Sequence, residues 1–140
     1  MAAILDGDTI TVLRDRQERR VRIAGIDALE MRQAFGQRSK EAMSDCAFAK
    51  DVEVQWSKKD GYGRTIGKVL SGDVDCGLRQ IKLGMAWHYK AYAKEQARAD
   101  RESYAAKENE AKADRRGLWS DASPTPPWEI RHHEKAAIQH

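Results

Sequence analysis

With 140 residues, 41% of them hydrophobic and 34% charged, the chain has the size and make-up of a single globular domain. Its 25 basic and 22 acidic residues leave a net charge of only +3, so any nucleic-acid site must be a local arrangement and not a global field. No run approaches the ~20 apolar residues of a membrane helix. No basic-then-apolar leader precedes Met1-Ala2-Ala3-Ile4-Leu5 either, and this abrupt start reads as that of a trimmed or mature form.

In chain order, Ile4-Leu5 begins a first strand that an Asp6-Gly7 turn or bulge interrupts. Ile10 and Val12 then alternate with threonines over Thr9 to Leu13, a period of two that predicts a strand. Arg14 to Glu18 is polar and reads as a turn. Arg19 to Ile26 is the next strand, with Val21 and Ile23 inward and Arg22 on the opposite face. A helix is expected from Gly36 to Ala49, with Ser39, Ala42, Met43, Cys46 and Ala49 as its core stripe. Val52 to Trp56 and Arg64 to Leu70 read as two further strands around a polar turn, followed by a short helix near Asp75 to Leu83. Ala93 to Arg116 is rich in good helix formers, and Arg115-Arg116-Gly117 suits its end. Pro124, Pro126, Pro127 and Trp128 suggest an extended strap with one aromatic anchor, and residues 129–140 a frayed tail behind a domain spanning 1–128. Cys46 and Cys76 lack metal-type partners, which argues against zinc. They read as two small buried thiols in preference to a disulfide, although both face the core and contact between them stays open. The sum is an α+β chain, a small Greek-key barrel with an inserted helix and appended C-terminal helices.

Four short pieces carry chemistry: Asp6-Gly7-Asp8-Thr9, Arg22, Asp27-Ala28-Leu29-Glu30 and Asp60-Gly61-Tyr62-Gly63-Arg64. Carboxylates suit a hard cation such as Ca²⁺ or Mg²⁺, and arginine forks grip phosphate through paired hydrogen bonds. Each piece alone reads as a turn or a solvated side chain. Their order is what counts, and it resembles that of the staphylococcal nuclease (thermonuclease) family over nearly the whole chain. Gly84-Met85-Ala86-Trp87-His88-Tyr89, Gly117-Leu118-Trp119-Ser120 and Pro126-Pro127-Trp128 resemble its bacterial members in particular.

The resemblance implies a five-stranded OB barrel with three helices, in a monomer that hydrolyses DNA and RNA with calcium and leaves 3′-phosphates. It implies one Ca²⁺ held by Asp8, Asp27 and the backbone carbonyl of Ala28, which stands where the family has threonine. It makes Glu30 the residue that activates water, and Arg22 and Arg64 the phosphate-gripping pair. Tyr62 and Tyr92 match tyrosines of the nucleotide pocket, and Lys90 takes the place of another. Leu29 replaces the family's proline before the glutamate, and the loop after Glu30 is shorter. Single-stranded DNA and RNA are the expected partners, with no membrane, and many bacterial relatives are exported, which favours the periplasm or the exterior. The competing reading is a non-catalytic OB-fold module that binds nucleic acid. Retention of all five charged side chains favours catalysis. A protein-interaction domain would leave Glu30 and Arg64 unexplained.

Overall fold

The computed structural model describes residues 2–138; Met1, Gln139 and His140 lie outside the described residues. The expected alternation becomes β2 (Thr9–Arg14), in which Ile10 is fully buried, and β3 (Gln17–Ile23), which is exposed until Val21 and buried beyond it. Asp15 and Arg16 join them with φ of 52° and 66°, the backbone that a two-residue type I′ hairpin demands. A short β1 (Ala2–Ile4) lies antiparallel along β2. β5 (Glu53–Lys59) and β6 (Thr65–Ser71) form a second hairpin with an irregularity between Trp56 and Lys58. The two hairpins join through a parallel pairing of β3 with β6, Arg22 opposite Ile66.

The strand order is β1-β2-β3-β6-β5, with β7 (Val74–Asp75) also on β6. A separate ladder pairs β4 (Ile26–Ala28) with β8 (Ala86–His88), Asp27 opposite Trp87. The α+β class and OB-like order agree with expectation. No ladder between β1 and β5 closes the sheet among the described residues; Ala2 bridges to Phe48 instead.

α1 (Gly36–Ala47) buries Ser39, Met43 and Cys46, three of the stripe residues expected of it. α2 (Cys76–Lys82) starts at Asp75, whose side chain accepts from the Leu78 N–H as an N-cap. α3 (Arg98–Ala113) packs on α2 through Tyr104, whose hydroxyl donates to Asp75 at 2.7 Å. Ile10, Val21, Ile23, Ile26, Met43, Val69, Ile81 and Tyr104 make one core between sheet and helices.

Three expectations are corrected. The predicted helix from Ala93 to Arg116 is two pieces, a 3₁₀ turn over Lys90–Glu95 and then α3, because Gln96 and Ala97 are extended. The segment read as a frayed tail is instead α4 (Pro127–Ile138), opened by a proline at the position where a helix tolerates one. Cys46 and Cys76 are not separate thiols. They form a disulfide between α1 and α2 with Cα atoms 5.9 Å apart, inside the range such a bond permits. Its sequence separation of 30 residues makes it worth between about 3 and 4 kcal/mol by loop-closure entropy. The Cys46→Ser/Cys76→Ser protein is therefore expected to lose that much stability in a urea titration. An unchanged midpoint would show that the cross-link contributes little.

Candidate active site

The Asp6-Gly7-Asp8 turn leads into β2 and presses against α1 and β4. A Cβ on Gly7 would lie 2.0 Å from Ser39 Oγ and 2.8 Å from Ala28 Cβ, so the close approach requires glycine here. Gln80 on α2 fixes the turn, its Nε2 donating to the carbonyls of Gly7 and Ser39. Asp8 is thereby set beside β4, one carboxylate oxygen accepting from the Ala28 N–H at 2.9 Å and the other from Thr9 Oγ1 at 2.9 Å. β4 places Asp27 on the same side, 4% exposed.

The acidic loop continues to Glu30, which is tied at its backbone: Gln33 Oε1 accepts from the Glu30 N–H at 2.9 Å. Gly36, at the start of α1, backs onto the same residue, and a Cβ there would lie 2.0 Å from the Glu30 carbonyl oxygen. Leu29 is buried and so anchors the loop from below.

Arg22 is not the surface side chain that its strand position suggests; it is 6% exposed. Its Nη2 donates to Glu95 Oε2 at 2.5 Å, and its guanidinium lies 4.2 Å from the centre of the Tyr92 ring. Glu95 is itself 3% exposed at its side chain. Arg22 Nη1 has no hydrogen-bond partner among the described residues. The parallel β3–β6 register brings the Asp60–Arg64 turn alongside. One Asp60 oxygen accepts from the N–H groups of Tyr62 and Arg64, and the other accepts from Arg64 Nε at 2.7 Å. Arg22 Nε is 3.9 Å from that second oxygen, so one carboxylate spaces both arginines.

Asp8, Arg22, Asp27, Ala28, Glu30 and Arg64 line one cleft of about 380 Å³, with Tyr62 and Tyr92 at its rim. Tyr62 is 89% exposed. Lys90 is not in the cleft; its Nζ turns to His88 Nδ1 at 2.8 Å and towards Glu108. A larger hollow of about 780 Å³, lined by Val12, Leu13, Val54 and Trp56 among others, contains none of these residues.

Electrostatics divide the carboxylates into two kinds. Asp8 and Asp27 both hold their protons more tightly than an ordinary aspartate, chiefly through burial, with Asp6 adding to it at Asp8 and Arg131 opposing it at Asp27. Burial disfavours both anions, and the Arg131 guanidinium offsets this in part at Asp27. At Asp60 burial acts in the same direction. It is outweighed by the N–H groups of Arg64 and Tyr62 and by the Arg64 guanidinium, so its proton affinity falls below the usual value. A carboxylate lowered on folding stabilises the protein above its unfolded pKa, and that contribution is lost as pH falls through the lower folded value. Asp60→Asn is therefore expected to lower the melting temperature near neutral pH, with the gap to wild type closing on acidification through that range. A gap constant with pH would contradict this.

Three further residues of this neighbourhood escaped the sequence reading. Glu95 sits in a polar stretch that reads as a solvated helix face. Gln33 bridges the Glu30 loop to the Thr125 carbonyl. Arg131, on α4, donates from Nη2 to Asp27 at 2.5 Å and from Nη1 to Glu30 at 2.7 Å. Asp60, by contrast, stands in one of the four pieces singled out in the sequence, where its Asp-Gly pair marks a turn.

Residues 20–121 match the profile of the Staphylococcal nuclease homologue family. The chain belongs to the staphylococcal nuclease family. A micrococcal nuclease of Shigella flexneri is 41% identical to it over 96% of this chain and 80% of its own length. An uncharacterized endonuclease of Escherichia coli O157:H7 is 38% identical, over 92% of this chain and 81% of its own. One from Haemophilus influenzae is 39% identical, over 94% and 71%. Arg22, Asp27, Glu30 and Arg64 fall inside the profile match, whereas Asp8 and α4 lie outside it.

Proposed function

We propose that this chain is a calcium-dependent endonuclease that hydrolyses phosphodiester bonds of DNA and RNA and leaves 3′-phosphates. The observation that carries the reading is the convergence of two cation-type carboxylates, a third carboxylate and two arginines on one cleft. Membership of the nuclease family supports the reaction class. Asp8, Asp27 and the Ala28 carbonyl are the proposed holders of one Ca²⁺. Among the described residues no three His, Cys, Asp or Glu side chains converge as a ready metal cluster. Two carboxylates and a carbonyl nonetheless suit an ion that takes six or more oxygens and completes its shell with phosphate and water. The raised proton affinity of Asp8 and Asp27 and the guanidinium lying on Asp27 both fit a site made for positive charge. Such an ion supplies Lewis-acid polarisation of the phosphoryl oxygen.

The side chains do the rest. Glu30, not needed as a ligand, accepts a proton from the attacking water. Arg22 offers its unpaired Nη1 to a phosphate oxygen while Glu95 and Tyr92 fix its plane. Arg64, aimed by Asp60, takes a second oxygen and stabilises the charge that develops there. Tyr62, which is 89% exposed, offers a ring face to a base, and Tyr92, backed by the Arg22 guanidinium, lines the same pocket, a mode that favours unstacked single strands. Lys90, held by His88, has no part in this arrangement. The disulfide supports an oxidising compartment, as an exported protein would meet.

A non-catalytic binding module is the second reading, since an OB-like sheet with rim tyrosines is sufficient to bind. It needs no Glu30. End-group analysis separates the two. Single-stranded DNA incubated with protein and Ca²⁺ should yield fragments that a polymerase extends only after phosphatase treatment. Intact DNA bound in a mobility shift would support the module instead.

A further inference from the structure

Arg131 lines the cleft and takes no part in the proposed reaction. It reaches the site from α4, and its placement is built. Pro127 is buried at the helix start, and Trp128 stacks on Tyr89 with centroids 4.6 Å apart and meets Trp87 edge-on at 5.2 Å. Gln33 ties the preceding strap to the Glu30 loop, its Nε2 donating to the Thr125 carbonyl at 2.7 Å. One helical turn beyond Pro127, the Arg131 fork covers both oxygens of Asp27, at 2.5 and 3.1 Å, and one oxygen of Glu30 at 2.7 Å.

This geometry occupies the two carboxylates the reaction would need. The fork takes one lone pair on each Asp27 oxygen and on one Glu30 oxygen, and its positive charge lies against the carboxylates a divalent ion would need, so guanidinium and ion compete for them. Burial would make Asp27 costly as a bare anion, and Arg131 supplies the missing positive charge. The guanidinium side chain is 44% exposed, so it can leave towards solvent without unfolding the helix. From these contacts we infer that Arg131 is a tethered counter-cation that closes the resting site, and that a divalent ion must displace it from Asp27 and Glu30 before catalysis. The inference rests on the metal assignment of the proposed function. It adds that α4 and its strap form an autoinhibitory element of the nuclease.

Calcium titration by calorimetry, without nucleic acid, tests this on wild type, Arg131→Ala and Arg131→Lys. An intramolecular occupant weakens apparent affinity by the fraction of molecules it leaves open, and a guanidinium 44% exposed is partly screened even against Asp27, whose side chain is 5% exposed. Removing it should therefore tighten Ca²⁺ binding by about 3- to 10-fold. Lysine keeps the charge but cannot fork across Asp27 and Glu30, so Arg131→Lys should behave like Arg131→Ala. In ¹⁵N-arginine spectra the Arg131 guanidinium should be restrained without metal and released at saturating Ca²⁺. Equal affinities in all three proteins would overturn the inference and leave the metal assignment standing. So would a lysine variant that matches wild type, because charge alone would then account for any effect. A restrained Arg131 signal at saturating Ca²⁺ would overturn it too. Failure of all three to bind Ca²⁺ would remove the metal assignment and this inference together.

Discussion

Replacing Glu30 with glutamine should slow cleavage of single-stranded DNA by about 10²–10⁴-fold, the range that a positioned general base supplies, while Ca²⁺ and nucleotide still bind. The separation of the two effects follows from where Glu30 sits. Its backbone is held by Gln33 and by the close approach of Gly36, neither of which depends on the carboxylate. Glutamine keeps the shape and an accepting oxygen, so the loop should stay in place. It cannot take a proton from water. The variant also weakens the contact with Arg131, which by itself would open the site and not impair it. A Glu30→Gln protein within about tenfold of wild-type turnover would remove Glu30 from the role assigned to it.

The arginines should give the second large effect. Arg64→Lys keeps positive charge beside Asp60 but loses the planar fork, and should lower turnover by about 10²–10³-fold, the usual cost of removing one preorganised donor from a developing oxyanion. Arg64 is part-exposed, so little stability should go with it. Arg22→Lys should be as damaging to turnover and also lower the melting temperature. Its guanidinium is buried against Glu95 and stacked on Tyr92, and a lysine would leave Glu95 imperfectly paired in a nearly dry pocket. Turnover measured at saturating substrate, with melting curves for both variants, distinguishes a catalytic loss from a folding loss. Near-normal turnover in both lysine variants would contradict the phosphate-gripping assignment.

Much of the scaffold is written locally in the chain. Ile10 and Val12 alternating with Thr9 and Thr11, and Val21 and Ile23 alternating with Arg20 and Arg22, encode β2 and β3 because period two is a property of the strand itself. The Asp-Gly pairs at residues 6–7 and 60–61 mark turns for a similar reason. What stayed hidden depends on partners far along the chain. Arg22 looks like a surface residue until Glu95, 73 positions later, reaches it. The break at Gln96-Ala97 that frees Glu95 to do so is invisible in a run of good helix formers. The disulfide needs α1 and α2 packed face to face before two lone cysteines become a pair. Arg131 has no motif around it, and its role becomes visible only when Trp128 docks α4 over the acidic loop. The cleft's five charged side chains were thus legible as a set, but their holders were not.

Metal dependence is where the account is most exposed. End-labelled single-stranded DNA should be cleaved by the folded protein in Ca²⁺, with cleavage lost on adding chelator and restored by excess Ca²⁺. Equal cleavage with and without chelator, or none in Ca²⁺ by a protein shown to be folded, would contradict it.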